Sequence, residues 1–166
     1  MARLILLRHA KSDYPLGVPD HERPLSARGR ANAGTIASRI LEAIPSGWSF
    51  GAAVSTAART QETWAHVEAG LPALAQYWND AALYLAEPAT IAETAACFTT
   101  DVGIIVGHNP GIWELAESME ASRDSVAEQM AQKFPTAAFA VIDTGTTPLA
   151  RWQPQDATCI DFVTCR

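Results

Sequence analysis

Aliphatic runs of strand length, of which Leu4-Ile5-Leu6-Leu7 and Val102-Gly103-Ile104-Ile105-Val106 are the clearest, alternate along this chain with longer segments whose apolar residues recur at helical spacing. No other feature narrows the fold as far. Buried strands interleaved with amphipathic helices predict an α/β fold, a three-layer sandwich whose mostly parallel central sheet is flanked by helices. With 166 residues, one domain spanning residues 1–166 is expected.

The pattern predicts strands over residues 3–7, 51–54, 73–78, 102–106, 137–142 and 149–152. After the first strand, Pro15, Gly17, Pro19 and Pro24 make regular structure untenable. Ser26 then reads as the N-cap of a helix whose buried face is Ala33, Ile36, Ala37, Ile40, Leu41 and Ile44, stopped by Pro45-Ser46-Gly47. Ser55 is expected to cap a second helix through Trp64 and Val67 toward Gly70. Further helices are expected over 89–98, 112–119 and 124–133.

Charge restricts the partners. A net charge of −6 opposes binding to nucleic acid, whose phosphates would repel the chain. The charge is unevenly spread, however: residues 1–59 hold eight of the twelve Lys and Arg but four of the eighteen acids, a balance of +4 against −10 for the remainder. That asymmetry fits an anion pocket built from the N-terminal part. Cys97, Cys159 and Cys165 are odd in number and widely spaced, so neither a disulfide framework nor a zinc site is indicated. Nothing resembles a signal-peptide core or a membrane span, and a cytoplasmic protein that binds no membrane is expected.

In parallel α/β sheets, ligands bind beyond the C-terminal ends of the strands, where loops and helix N-termini aim N–H groups outward. Three predicted strands end in residues capable of chemistry: the first at Arg8-His9, the second at Ser55 with Arg59 following, the fourth at His108. If these strands are neighbours, two guanidinium groups and two imidazoles meet in one small volume. Phosphate suits such a cage, because guanidinium groups offer paired donors to its oxygens and two of them neutralise the dianion. A neutral imidazole is a nucleophile, so His9 could accept a phosphoryl group covalently, with His108 donating a hydrogen bond to the same oxygens. His21, in the proline-rich loop, and His66, on a helix surface, receive no such role.

These residues resemble the histidine phosphatase superfamily, whose Arg-His-Gly/Ala motif after the first strand is matched by Arg8-His9-Ala10. The similarity is closest to the small SixA-like phosphohistidine phosphatases, whose Arg-His-Ala-Lys-Ser form is Arg8 to Ser12 here. In order along the chain follow Arg23-Pro24-Leu25-Ser26-Ala27-Arg28-Gly29, then Ser55, Arg59 and Thr63, then Leu83-Tyr84, then Gly107-His108-Asn109-Pro110. The resemblance implies the phosphoglycerate mutase-like form of the fold. It implies His9 as the phosphorylated nucleophile, with Arg8, Arg59 and His108 completing the phosphate pocket. Arg23 would line the pocket mouth and Ser12 would orient the His9 loop. It also implies chemistry without metal or other cofactor.

Relatives that cleave esters supply a carboxylic acid to the leaving oxygen, and here Glu87, Asp20 and Asp13 are the candidates. The expected partner is a phosphorylated substrate, a phosphohistidine-containing protein or a small phosphomonoester, acted on by a monomer. Two alternatives share the pocket: a mutase that retains the phosphoryl group, and a noncatalytic phosphate-binding module.

Overall fold

The computed structural model describes residues 1–165. Seven strands form one sheet: β1 (Arg3–Arg8), β2 (Phe50–Ser55), β3 (Gln76–Asp80), β4 (Val102–Gly107), β5 (Glu120–Ala121), β6 (Phe139–Asp143) and β7 (Thr158–Val163). Their order across the sheet is β3-β2-β4-β1-β6-β7-β5. β6 pairs antiparallel with both β1 and β7, and every other pairing is parallel. The fold is α/β with a mostly parallel sheet, as the alternation of aliphatic and amphipathic segments requires.

Among the described residues six α-helices cover the sheet: α1 (Ala27–Ala33), α2 (Ile36–Ala43), α3 (Ala58–Glu68), α4 (Pro88–Ala95), α5 (Gly111–Glu117) and α6 (Asp124–Gln132). Successive side chains of a strand point to opposite faces, and β1 shows the result. Leu4 and Leu6 pack among residues of α4, α5 and α6, whereas Ile5 and Leu7 pack among residues of α1, α2 and α3. All four are fully buried. A strand with no solvent face cannot slip register without losing both cores, so its last residue is fixed in space.

Several expectations need correction. The long helix after Ser26 is two helices, broken at Gly34-Thr35, and Leu41 lies outside the buried face with 40% exposure. Residues 149–152 form a 3-10 turn, Leu149–Arg151, rather than a strand: Arg151 N–H closes back on the Pro148 carbonyl, and Trp152 Nε1 donates to Ala92 O beneath α4. Strands β5 and β7 were not anticipated. β7 carries Asp161 among its apolar residues and meets β6 through an irregularity at Val141/Ile142, which breaks the alternation that marks a strand. Ser55 does not cap α3, whose N-cap is Ala57, and its hydroxyl is used elsewhere.

The Arg23-to-Gly29 motif acts as a clamp on the loop after β1. Ser26 caps α1 by accepting from Gly29 N–H at 3.0 Å, while Ser26 N–H and Oγ both donate to Lys11 O, at 2.8 and 3.1 Å. Ser12 bridges to Leu25, and Asp13 N–H donates to Pro24 O. Gly29 is there because α1 rests directly on that carbonyl: a Cβ at position 29 would stand 2.0 Å from Lys11 O. Gly29→Ala should therefore cost about 1–3 kcal/mol of stability, as overpacking against backbone does. The urea midpoint measures this, and a midpoint equal to that of the parent chain would show that α1 does not press on the loop.

Candidate active site

Strands β2, β4 and β1 lie side by side and run parallel, so they finish at one edge of the sheet. Beyond them opens a cleft of about 280 Å³, and Arg8, His9, Ser12, Arg23, Arg59 and His108 all line it. The six residues picked out from the sequence thus converge. Lys11, Tyr14, Asp20, Leu85, Asn109 and Thr136 complete the wall.

His9 is held by its backbone on three sides. Its N–H donates to Gly107 O at 3.1 Å, its carbonyl accepts from Ala137 N–H at 3.0 Å, and the next amide, Ala10 N–H, donates to Thr63 Oγ1 at 3.0 Å. Thr63 in turn donates to Arg59 O within α3, so the helix that supplies Arg59 also secures the His9 loop. The side chain is equally constrained. Nδ1 lies 2.7 Å from Ala10 O, and because a carbonyl only accepts, Nδ1 carries the proton and Nε2 keeps its lone pair.

His108 has the opposite assignment. Its Nε2 is 2.7 Å from Ser55 Oγ, in a fully buried contact at the end of β2. Ser55 Oγ also accepts from the Ala57 amide at 3.5 Å, and among the described residues its buried proton finds no acceptor other than Nε2, so the hydroxyl donates to the ring. His108 therefore bears its own proton on Nδ1. The two rings stand 5.4 Å apart between centroids. Burial pushes His9 down to about 3, with His108, Arg8 and Arg59 acting in the same direction and the Ala10 carbonyl opposing. Burial and the positive charge of Arg59 push His108 down to about 3 as well. Both imidazoles are neutral at physiological pH.

Arg59, only 3% exposed, donates through Nη1 to Asp20 O at 2.8 Å and through Nη2 to Asp20 Oδ2 at 3.1 Å. Arg23 reaches Asp20 Oδ1 at 3.1 Å through Nε, and Ser12 Oγ at 2.9 Å through Nη1. The Tyr84 hydroxyl also donates to Asp20. The Tyr84 hydrogen bond first of all, opposed by burial and joined by Arg59 and then Arg23, holds the Asp20 carboxyl down at about 2. Asp20 is the only one of the three candidate acids to line the cleft, and at neutral pH it carries no proton to give. Glu87 is exposed at the start of α4, and Asp13 engages its surroundings through its backbone.

Arg8 donates through Nη1 to Phe134 O at 3.0 Å, a carbonyl shared with Asn109 Nδ2 at 2.9 Å. Arg8 Nε, Arg59 Nε and His108 Nδ1 are buried donors without a hydrogen-bond partner among the described residues. Buried donors are ordinarily satisfied, so three of them in the residues of one cleft mark a place for an acceptor-rich ligand. Among the described residues no group of three or more His, Cys, Asp or Glu is arranged to hold a metal ion. His21 pairs with Thr56 Oγ1 at 2.9 Å, outside the lining. Sequence reasoning passed over Tyr84, named only as half of a Leu-Tyr pair, and Tyr14 and Leu85 at the mouth, because nothing in the local pattern says that a loop tyrosine or leucine faces a cleft.

No protein-family model matches the sequence. The uncharacterized protein Rv1276c of Mycobacterium tuberculosis is 37% identical over 141 residues, covering 82% of this chain and 85% of that protein. An uncharacterized protein of Mycobacterium leprae is 32% identical over 155 residues, covering 89% and 90%. Among solved structures, a protein named for the phosphohistidine phosphatase SixA from Nakamurella multipartitia superposes with a TM-score of 0.80 at 26% identity, over 99% of this chain and 96% of that one. Another so named, from Agrobacterium tumefaciens, gives 0.76 at 28% identity, over 98% and 97%. The protein histidine phosphatase SixA complexed with tungstate gives 0.74 at 14% identity, over 98% and 96%, a likeness of fold alone. With the ordered motifs and the shared fold over nearly the whole chain, the protein belongs to the histidine phosphatase superfamily, in its SixA-like branch, and is a phosphatase.

Proposed function

We propose that the protein, acting as one domain, hydrolyses phosphohistidine through a phosphohistidine intermediate of its own at His9. The observation that carries this reading is the pairing of a neutral His9, its lone pair fixed on Nε2, with the buried nitrogens of Arg8, Arg59 and His108 that have no partner among the described residues. Nε2 attacks phosphorus, a P–N bond forms, and the bond to the leaving group breaks. Arg8, Arg59 and His108 hold the three equatorial oxygens, whose charge they meet more fully in the transition state than in the ground state. Water then attacks phospho-His9, and phosphate and neutral His9 are restored. The Nδ1 proton, shared with the Ala10 carbonyl, stabilises the imidazolium character of the intermediate.

Leaving-group chemistry favours a nitrogen-linked substrate. An alkoxide needs a proton from an acid, and Asp20 is held ionised by Tyr84 and the arginines. A phosphorylated imidazole takes up a proton on its second nitrogen from water and departs neutral, so no protein acid is required. Turnover of a phosphohistidine-carrying protein should exceed that of glycerol phosphate under equal conditions, and the reverse ranking would make the protein an ester phosphatase.

Three further measurements test the mechanism. Quenching with a labelled phosphoryl donor should leave acid-labile label on His9, and His9→Ala should fall to the uncatalysed background; persistent turnover in that variant rules out the covalent route. Ser55 acts as a positioning residue through His108: Ser55→Ala should lower kcat about 10-fold with little change in KM, as loss of a tautomer-fixing partner does, and Ser55→Thr should restore it. An unchanged kcat in Ser55→Ala would mean that His108 needs no such partner. Finally, both histidines titrate near 3 in the folded chain but at about 6.5 when unfolded, so on acidification the unfolded chain binds protons first. Their contribution is intact above about pH 6.5 and declines progressively toward pH 3. The Tm should thus fall more steeply from pH 7 to 4 in the parent than in a His9→Asn/His108→Asn double variant; parallel slopes would contradict the neutral assignment.

A further inference from the structure

Leu85 combines two properties that a leucine seldom has together. Its φ is +50°, in the left-handed region that penalises any side chain with a Cβ, and it is 54% exposed. Neither burial nor backbone preference explains a leucine here. The strain cannot relax, because the segment is fastened on both sides. Tyr84 N–H donates to Ala81 O and its hydroxyl to Asp20, and Ala86 N–H donates to Leu83 O. The Ala86 carbonyl packs so closely on the start of α5 that a Cβ at Gly111 would stand 2.0 Å away. A strained residue held by its surroundings is characteristic of ligand-binding sites, and Leu85 lines the cleft that contains His9.

Tyr14 lines the same cleft and is 74% exposed. It is nonetheless held in place: the Arg23 guanidinium carbon sits 4.0 Å from its ring centroid, and Lys11 Nζ lies 6.0 Å away. A phosphoryl group on Arg8, Arg59 and His108 must extend the rest of its molecule outward past the mouth. At that mouth the Leu85 side chain and the Tyr14 ring add apolar surface to an otherwise polar wall, and such surface rewards contact with a flat ring more than with a polyol.

We propose that Leu85 and Tyr14 are specificity-determining residues that receive an apolar, flat leaving group, so that phosphoryl groups borne on a ring are selected over those borne on a polyol. The inference rests on the proposed phosphate pocket and adds what lies beyond it. It fits a phosphorylated imidazole and disfavours sugar and glycerol phosphates.

Binding of two phosphonates, which cannot be turned over, tests the rim apart from catalysis. Calorimetry should show phenylphosphonate binding the parent chain roughly 10-fold more tightly than methylphosphonate, the range typical of one apolar contact surface. Leu85→Asn keeps a residue that tolerates positive φ and removes the apolar surface. It should reduce the phenyl-to-methyl ratio several-fold, leave methylphosphonate affinity within about twofold, and keep or raise the Tm as strain is relieved. Tyr14→Ser should reduce the ratio in the same sense. A ratio that survives both substitutions overturns the proposal even if both ligands bind well. Failure of the parent chain to bind either phosphonate would instead overturn the phosphate pocket, and the rim with it.

Discussion

The arrangement depends on a strand that has no solvent face and must still end. β1 is buried by α1 to α3 on one side and α4 to α6 on the other, so its termination cannot be left to water. Gly107 of β4, Thr63 of α3 and Ala137 in the turn before β6 take up the backbone groups of residues 9 and 10. The nucleophile candidate is thereby fixed by the sheet pairing of β1 with β4 and β6 and by α3, before any side-chain interaction is considered. Precision of this kind is cheap to maintain, since every unit that provides it is also part of the core.

Electrostatics follow from the same burial. Arginines close to two imidazoles would repel protons from them even in a wetter site, and removal from water adds to the effect. Neutral histidines are then the natural state of the cleft, one presenting a lone pair and the other a proton. The difference between them comes from what each second nitrogen meets: a carbonyl that can only accept in the case of His9, and a serine hydroxyl that gives its proton in the case of His108. Two identical side chains acquire opposite chemical characters from their neighbours.

Much of this was legible in the sequence, for physical reasons that can be named. Uninterrupted apolar runs declared β1 and β4, and the residues directly after them had to sit at the sheet edge, which placed Arg8, His9 and His108 together. Ser26 was recognisable as a cap because capping needs only local geometry. What failed was whatever depended on distant partners. Ser55 has the local character of a cap, yet its hydroxyl goes to a histidine that is 53 residues away in sequence. The 3-10 turn at Leu149–Arg151 is apolar because it covers α4, not because it joins the sheet. Asp20 was a candidate proton donor and is instead an ionised member of the cleft, a role conferred by Arg59 and Tyr84 from distant segments as well as by Arg23 from its own turn.

That carboxylate has a further consequence. Both terminal nitrogens of Arg59 already serve Asp20, one through the side chain and one through the main-chain carbonyl. An arriving oxyanion therefore gains only the difference between its own hold on the guanidinium and the one it displaces or shares, and the negative charge of Asp20 stays nearby to oppose a second anion.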